Sequence, residues 1–210
     1  NFIFSSKLFN EEMIKVCGER WRVLDYQPVM AIPVQFIPDW INVELDDRPV
    51  ANLGPYVREE YRDITYFNGI DFHQDIFDFP DRDSDFITVY IYLDKVNENS
   101  SPVFVLKKSH LLGASIFPHK LNPVMINQYE YTNDFGEKKT CEIEKFTDEG
   151  GCVYYWHCNT LHGSQPQTHN EPRFSIRILI EKNSKSALDC LLDRANLLSK
   201  GRLSLQKTRL

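Results

Sequence analysis

From Tyr61 onward the sequence is built of short β-type segments separated by turn residues, and this pattern limits the folds open to the chain. The clearest segment spans residues 86–93, where apolar side chains alternate with Thr88, Tyr90 and Tyr92. Alternation with a period of two is typical of a strand that is buried on at least one face. Many short strands with few helices predict a barrel or a double-sheet jelly roll.

Turn residues set the bounds of the remaining predicted strands. An Asn-Gly pair at residues 68–69 predicts a turn between two strands, and the polar segment 78–85 predicts a solvated turn or a lid. Upstream, residues 29–37 are rich in β-forming residues, and Pro33 restricts this strand to a flank of the sheet. The other predicted strands are residues 64–67, 70–74, 103–106, 142–146, 152–157 and 173–180.

Helix signals lie near the two ends of the chain. Asn10 has the character of an N-cap and is followed by acidic residues, which predicts a short helix over residues 10–20. In residues 186–200 apolar side chains recur every three or four positions, and Gly201 stands where a C-cap glycine belongs. We expect this amphipathic helix to pack on the outside of the sheet or against a partner subunit. Residues 38–60 read as a long connection.

Length and composition indicate one domain over residues 1–210, with its core in about residues 61–182. The net charge of -6 disfavours a nucleic-acid partner, because binding phosphates needs a basic stripe. The longest apolar runs are too short to cross a bilayer. Five cysteines in no regular framework indicate reduced thiols, as in a cytoplasmic protein. The sequence leaves the oligomeric state open.

A His-x-Asp pair, His73 and Asp75, falls in a predicted strand, where alternate side chains point to the same face. That arrangement suits two ligands of one metal ion. A third candidate, His162, ends an aromatic strand, and Arg173 follows eleven residues later with Arg177 on the same strand face. A charged arginine inside a barrel is costly unless an anion meets it. These residues together therefore predict a carboxylate-bearing ligand near a metal ion.

A structural zinc site is the alternative interpretation of the aromatic strand. His157 and His162 lie close in sequence to Cys152 and Cys158. Their Cys-x5-Cys-x3-His spacing lacks the paired cysteines that are usual in such sites, so we favour the first interpretation. The three remaining histidines are interpreted as ordinary polar residues.

Three motifs follow one another along the chain: His73-x-Asp75, His162-Gly163-Ser164 and Arg173. Their order resembles that of the Fe(II)/2-oxoglutarate dioxygenases, most closely the phytanoyl-CoA dioxygenase-like branch, over residues 61–181. Residues 103–110, VFVLKKSH, stand where that branch carries a G-x-L-x-x-x-P-G-S-H segment, with Lys107-Lys108 in place of Pro-Gly. The resemblance implies a mainly β fold, a cupin-like double-stranded β-helix or jelly roll with flanking α-helices.

The same resemblance implies that His73, Asp75 and His162 form a 2-His-1-carboxylate facial triad. Such a triad suits non-haem Fe(II), because it leaves three coordination positions open. The cosubstrate 2-oxoglutarate would fill two of them through its keto and C1 carboxylate oxygens, and dioxygen would take the third. The carboxylate at Asp75 argues against the related halogenases, which leave that position open for chloride.

The cosubstrate anchor is implied in the same way. Arg173 would pair with the far carboxylate, since a bidentate guanidinium fits a carboxylate better than an ammonium does. Ser164 would be a second donor to the cosubstrate. Arg177 would face either a substrate anion or the near end of 2-oxoglutarate.

The activity so implied is oxidation, and above all hydroxylation, of an unactivated C–H bond with release of succinate and CO2. The net negative charge and the lack of a basic cluster that could bind CoA phosphates favour a small metabolite over a CoA ester as the substrate. An amino acid, a sugar derivative or a natural-product intermediate fits this description. Two alternatives stay open: a metal-binding cupin-like isomerase or binding module, which would not need Arg173, and an interaction domain that docks through its C-terminal helix.

Overall fold

The structure, a computed structural model, describes residues 2–183 apart from residues 47, 49, 80, 81 and 83. Its helices are α1 (Phe2–Ser5), α2 (Lys7–Cys17) and α3 (Asp39–Leu45). Single 3-10 turns occur at Val34–Phe36, Gly54–Tyr56, Glu59–Tyr61, Asp75–Asp78 and Ser109–Leu112. The strands are β1 (Arg22–Ala31), β2 (Val50–Asn52), β3 (Thr65–His73), β4 (Phe86–Tyr92), β5 (Val103–Leu106), β6 (Lys120–Met125), β7 (Gln128–Thr132), β8 (Lys138–Lys145), β9 (Val153–His157), β10 (His162–Ser164) and β11 (Arg173–Glu181).

These strands form one curled sheet in the order β6-β7-β8-β5-β10-β3-β1-β11-β4-β9, with β2 paired to β3. All the pairings are antiparallel except that between β1 and β3. The two halves of the sheet face each other, because Tyr90 and Trp156 on one half pack against Val103 and Val105 on the other. The prediction of a mainly β, cupin-like jelly roll is thus confirmed.

Helix α2 covers the outer face of β4 and β11. Its buried side chains Phe9, Met13 and Cys17 recur every four residues and meet the outward apolar residues of the two strands. The predicted alternation in β4 is confirmed: Ile87, Val89 and Ile91 face α2, while Thr88, Tyr90 and Tyr92 face the barrel interior, and all seven residues of the strand are buried. β4 therefore links the packed outer layer to the interior.

The predicted N-cap of α2 was wrong. The cap is Ser6, whose side chain accepts a hydrogen bond from the backbone of Phe9, and the helix ends at Cys17 before Gly18. Asn10 lies inside the helix, where its side-chain amide donates to the backbone oxygens of Phe4 and Ser6 at 2.8 Å each. It thus ties α1 to α2.

The predicted position of the first strand was also wrong. The strand spans Arg22–Ala31 and ends before Pro33, and it pairs with both β11 and β3 at its C-terminal end instead of forming a flank of the sheet. Its first half, which the prediction left out, carries the polar residues Asp25 and Gln27. The structure explains these two polar residues, since both accept hydrogen bonds from Arg177 on β11.

The Asn-Gly pair at residues 68–69 is not a turn between two strands, because β3 is continuous through it. Gly69 has φ +80°, and a Cβ there would lie 3.1 Å from the backbone nitrogen of Pro166. The Asn68 amide donates to the backbone oxygen of Ile32 at 2.6 Å. The pair therefore allows neighbouring segments to lie close together, and no hairpin loop forms at residues 68–69.

Four predicted strands correspond to β5, β8, β9 and β11, whereas the β6–β7 hairpin was not predicted. The predicted connection 38–60 contains α3 and β2. The predicted helix over residues 186–200 lies outside the described residues, and the loop 78–85 is described only in part. The four cysteines within the described part are unpaired. No helix in that part has the length and apolarity to span a membrane.

The packing of α2 on the sheet gives a first testable prediction. Met13 is 1% exposed, so Met13→Ala should lower the free energy of unfolding by about 2–5 kcal/mol through lost contacts and a cavity. Ile14 is 45% exposed, and Ile14→Ala on the same helix should cost less than about 1 kcal/mol. Urea denaturation of both variants measures the difference, and equal losses would contradict the described packing of α2.

Candidate metal centre

Three side chains that can ligate a metal meet where β3 adjoins β10. His73 ends β3 and pairs across the sheet with His162, the first residue of β10, and their ring centroids lie 4.2 Å apart. Asp75 opens the 3-10 turn that follows β3. One ligand atom from each of the three lies within 4.8 Å of the others. The structure thus brings together the three residues that the sequence grouped, although Asp75 lies in a turn and His162 opens β10 instead of ending the aromatic strand, which is β9.

Backbone carbonyls orient both imidazole rings. The Nδ1–H of His73 donates to the backbone oxygen of Asp71 at 2.8 Å, and that of His162 donates to the backbone oxygen of Thr160 at 2.9 Å. A carbonyl accepts only, so Nδ1 carries the proton in each ring and Nε2 is the nitrogen available to a metal. The local chain thereby fixes the tautomer of both histidines.

The carboxylate of Asp75 is held from two sides. Its Oδ2 accepts hydrogen bonds from Thr88 Oγ1 at 2.5 Å and from Trp156 Nε1 at 3.0 Å. Its Oδ1 lies 3.4 Å from Nε2 of His162. The two oxygens therefore have different surroundings: Oδ2 accepts from Thr88 and Trp156, and Oδ1 faces His162.

The charges of Asp75 and His162 stabilise each other. Burial acts to raise the pKa of Asp75, but the charge and hydrogen bond of His162, with smaller contributions from His73 and Thr88, hold that pKa well below its usual range. Burial acts to lower the pKa of His162, but the charge and hydrogen bond of Asp75 raise it above its ordinary value. The carboxylate thus stays ionised and ready to bind a cation.

A second buried charge lies at the start of β11. Arg173 is 2% exposed, and its guanidinium lies 5.5, 5.7 and 5.1 Å from the ring centroids of Phe67, Tyr90 and Tyr92. One guanidinium nitrogen donates to the Tyr90 hydroxyl at 3.5 Å. Its Nε and Nη1 are buried and have no hydrogen-bond partner among the described residues. A buried cation whose donors lack acceptors fits a site built to receive an anion.

More buried donors lie nearby. The hydroxyls of Ser164 and Ser175 and the Nε of Arg177 are buried and also lack a hydrogen-bond partner within the described part of the chain. Another guanidinium nitrogen of Arg177 donates to Asp25 at 2.8 Å and to Gln27 at 3.2 Å. Arg177 thus already has a carboxylate partner, whereas Arg173 has none among the residues described.

A cavity of about 90 Å³ joins the three metal-ligating side chains to two of these donors. Ser164 and Arg177 line it, and so do Phe67 and Tyr90, which flank the Arg173 guanidinium. A larger cavity of about 520 Å³ lies around residues 94–100 and 167–174; Arg173 lines it, and none of the three ligands does. The smaller cavity is therefore the one with the chemistry of a site.

The residues present fit a divalent metal of the non-haem iron type. Two neutral nitrogens and one anionic oxygen form the donor set, and each acceptor atom is oriented by its neighbours. Within the described residues no other group of three His, Cys, Asp or Glu side chains has this proximity, so the alternative zinc site with Cys152 and Cys158 does not form there. The site's anionic and cationic ends together suit a metal and a carboxylate ligand.

The sequence analysis did not identify the hydrogen bonds that Thr88 and Trp156 donate to Asp75. The alternation in residues 86–93 had already placed Thr88 on the same strand face as Tyr90 and Tyr92. That signal identifies a shared face but does not show which side chain on it reaches the carboxylate.

The chain matches the profile of one protein family, described as phytanoyl-CoA dioxygenase (PhyH), over residues 67–175, which is just over half of its length. No curated protein gives a significant match.

Among solved structures, apo ThoJ, a non-heme monooxygenase, superposes with a TM-score of 0.54 at 12% identity, covering 84% of this chain and 52% of that one. EvdMO1 gives a TM-score of 0.51 at 15% identity, and the superposition covers 87% of this chain and 32% of EvdMO1. The ThoJ–Ni complex gives a TM-score of 0.50 at 12% identity, and the superposition covers 84% of this chain and 50% of ThoJ. The chain spans about a third to about half of the length of these structures, and at this identity they are alike in fold.

Gly163, between two of the site residues, provides a test of the strand pairing. A Cβ there would lie 2.6 Å from the backbone oxygen of Ile70, so Gly163→Ala should push β10 away from β3 and separate His162 from His73. We expect a loss of about 1–3 kcal/mol in stability and a metal affinity at least about tenfold weaker.

Gly54→Ala is the matched control, because a Cβ there would meet only the side-chain oxygen of Asn52 at 3.1 Å. Denaturation and titration with Co(II) measure both effects. Wild-type metal affinity in the Gly163→Ala variant would show that the site does not depend on the close contact between β10 and β3.

The raised pKa of His162 predicts how metal binding depends on pH. Below that pKa the ring is protonated and a metal must displace the proton, while Asp75, with its lowered pKa, stays ionised. Apparent affinity should therefore fall as pH falls, by roughly tenfold per pH unit for one displaced proton. Calorimetric titration with Co(II) in buffers of different ionisation enthalpy counts the protons released, and a count of zero at pH 6 would contradict this coupling.

Proposed function

Because the chain belongs to the phytanoyl-CoA dioxygenase family, we propose that it is a non-haem Fe(II)- and 2-oxoglutarate-dependent oxygenase. Enzymes of this family use Fe(II), 2-oxoglutarate and dioxygen. The observation that carries the proposal is the buried Arg173, two of whose guanidinium nitrogens lack an acceptor among the described residues, in the same interior that holds the His-Asp-His group. A metal-binding protein without a carboxylate cosubstrate has no use for such a charge.

His73, Asp75 and His162 would hold the iron. Nε2 of each histidine would be its ligand nitrogen, because Nδ1 faces a backbone carbonyl, and Oδ1 is the carboxylate oxygen near Nε2 of His162. Three protein ligands leave three positions for the cosubstrate and dioxygen. When bound, iron and 2-oxoglutarate supply an oxidant from dioxygen, with 2-oxoglutarate decarboxylated to succinate and CO2.

Arg173 would anchor the far carboxylate of 2-oxoglutarate. Its Nε and Nη1 are the free donors of the guanidinium and belong to one planar fork, which matches the two oxygens of a carboxylate. The Ser164 hydroxyl is a further buried donor and lines the cavity. The aromatic rings around Arg173 exclude water and so strengthen the attraction between the opposite charges.

The substrate would be a small molecule that enters beside the iron. The cavity of about 90 Å³ is small compared with the 300–1,000 Å³ or so of typical ligand pockets, so it suits the cosubstrate with the substrate at its mouth. Arg177 lines this cavity with a buried free Nε, and Asp25 and Gln27 hold the other end of its guanidinium. These polar groups favour a substrate with hydrogen-bonding groups, and hydroxylation of a C–H bond is the reaction that we propose for it.

The test is an anaerobic titration of metal-free protein with Fe(II) and then 2-oxoglutarate. A visible charge-transfer band should appear when the keto acid chelates the iron, and succinate should form once dioxygen is admitted. Bound iron without a band would overturn the oxygenase proposal in favour of another metal-dependent chemistry on this fold.

Arg173→Met gives a sharper prediction, because it keeps an apolar stem among the aromatic rings and removes the charge. Binding of 2-oxoglutarate should weaken by at least about 100-fold, since a buried charge-assisted pair is lost. The cosubstrate-free variant should be as stable as the wild type or more so, because a buried charge without an acceptor is costly.

Thermal melts with and without 2-oxoglutarate measure both effects. Arg58→Met is the matched control, because the Arg58 side chain is 81% exposed and should change neither quantity. A normal cosubstrate-induced rise in Tm for the Arg173→Met variant would remove Arg173 from its proposed role.

A further inference from the structure

We propose that Thr88 and Trp156 are positioning residues that hold Asp75 as a ligand through one oxygen. The inference rests on the proposed function, because it concerns the same metal centre. Thr88 Oγ1 and Trp156 Nε1 both donate to Oδ2 of Asp75, at 2.5 and 3.0 Å. Neither donates to Oδ1, which lies on the side of His162.

The asymmetry of these contacts carries the inference. An ionised carboxylate has about four acceptor positions on two oxygens and can bind a cation through one oxygen or through both. Two hydrogen bonds draw electron density from Oδ2 and occupy the space where a metal would approach it. Oδ1 is then the better ligand, and it lies 3.4 Å from Nε2 of His162.

A one-oxygen ligand matters for the proposed chemistry. Two histidine nitrogens and one carboxylate oxygen would leave three positions open on the iron, whereas a carboxylate bound through both oxygens would leave only two. The cosubstrate needs two positions and dioxygen needs one. The hydrogen bonds to Oδ2 thus keep the third open position available.

Both donors are rigidly placed. Thr88 is fully buried at 0% exposure on β4, which has β11 on one side and β9 on the other. Trp156 is 7% exposed on β9, and its ring centroid lies 4.9 Å from that of His162. Trp156 therefore touches two of the three ligands at once, by a hydrogen bond to Asp75 and by ring contact with His162.

A purely structural role makes a different prediction. If Thr88 and Trp156 only satisfied a buried carboxylate, then removing either would lower stability and leave the geometry of a bound metal unchanged. If they position Asp75, the coordination of the metal itself should change. A spectroscopic probe of the bound metal separates the two roles.

The experiment uses Co(II) as the probe, since its visible d–d bands report coordination number and geometry. The variants are Thr88→Val, which keeps the branched shape, Thr88→Ser, which keeps the hydroxyl, and Trp156→Phe, which keeps a ring. Tyr155→Phe is the control on the same strand, because its hydroxyl donates to Glu12 at the surface. Thermal melts without metal show that each variant is folded.

We expect Thr88→Val and Trp156→Phe to weaken Co(II) binding by about 10- to 100-fold, the usual range for residues that orient metal ligands. The position and intensity of the d–d bands should change in both variants. Thr88→Ser should restore the wild-type spectrum, and Tyr155→Phe should match the wild type throughout.

Unchanged bands in Thr88→Val and Trp156→Phe would overturn the inference, even if stability fell. A Thr88→Ser spectrum like that of Thr88→Val would do the same, because the hydroxyl would then not matter. If wild-type protein bound neither Co(II) nor Fe(II), the proposed function would fail and the inference with it. If the wild type bound the metal and both variants gave the wild-type spectrum, only the positioning role of Thr88 and Trp156 would fail.

Discussion

The buried carboxylate of Asp75 is the interaction on which the centre depends. It lies in the turn after β3, accepts hydrogen bonds from Thr88 on β4 and Trp156 on β9, and pairs electrostatically with His162 on β10. One ionised group thus joins four elements from both halves of the curled sheet. A buried charge is costly unless it is paired and hydrogen-bonded, and here each oxygen has a neighbour that stabilises it. The arrangement of the interior follows from satisfying that one group.

A second buried charge has the opposite arrangement. Arg173 is surrounded by aromatic rings, with two of its nitrogens lacking acceptors among the described residues. The interior of this barrel therefore holds a satisfied anion at one position and an unsatisfied cation at another. A buried guanidinium with two donors that lack acceptors in the described part of the chain suits a site that receives an anion. The proposed cosubstrate, a dicarboxylic keto acid, would place its chelating end at the metal and its anionic end at Arg173.

The sequence predicted the fold class and the grouping of His73, Asp75 and His162, because strand alternation and short motifs are local patterns. It did not predict the donors on Asp75, since these depend on how β4 and β9 face the turn after β3 across the barrel. It also misplaced β1, whose inward polar residues Asp25 and Gln27 make sense only once Arg177 lies opposite. These two errors fall where a residue's environment comes from a distant strand, whereas the misplaced N-cap of α2 is a local error between Asn10 and Ser6.

The position of β11 has a consequence for how the protein is made. This last described strand lies in the middle of the sheet, between β1 and β4, and its end pairs Glu181 with Arg22. During synthesis, a nascent chain that has not yet reached residue 173 leaves the facing edges of β1 and β4 unpaired. Such edges invite association with other chains, and contacts between distant parts of a sequence form slowly. The ribosome must therefore release nearly all of the described domain before its sheet can close.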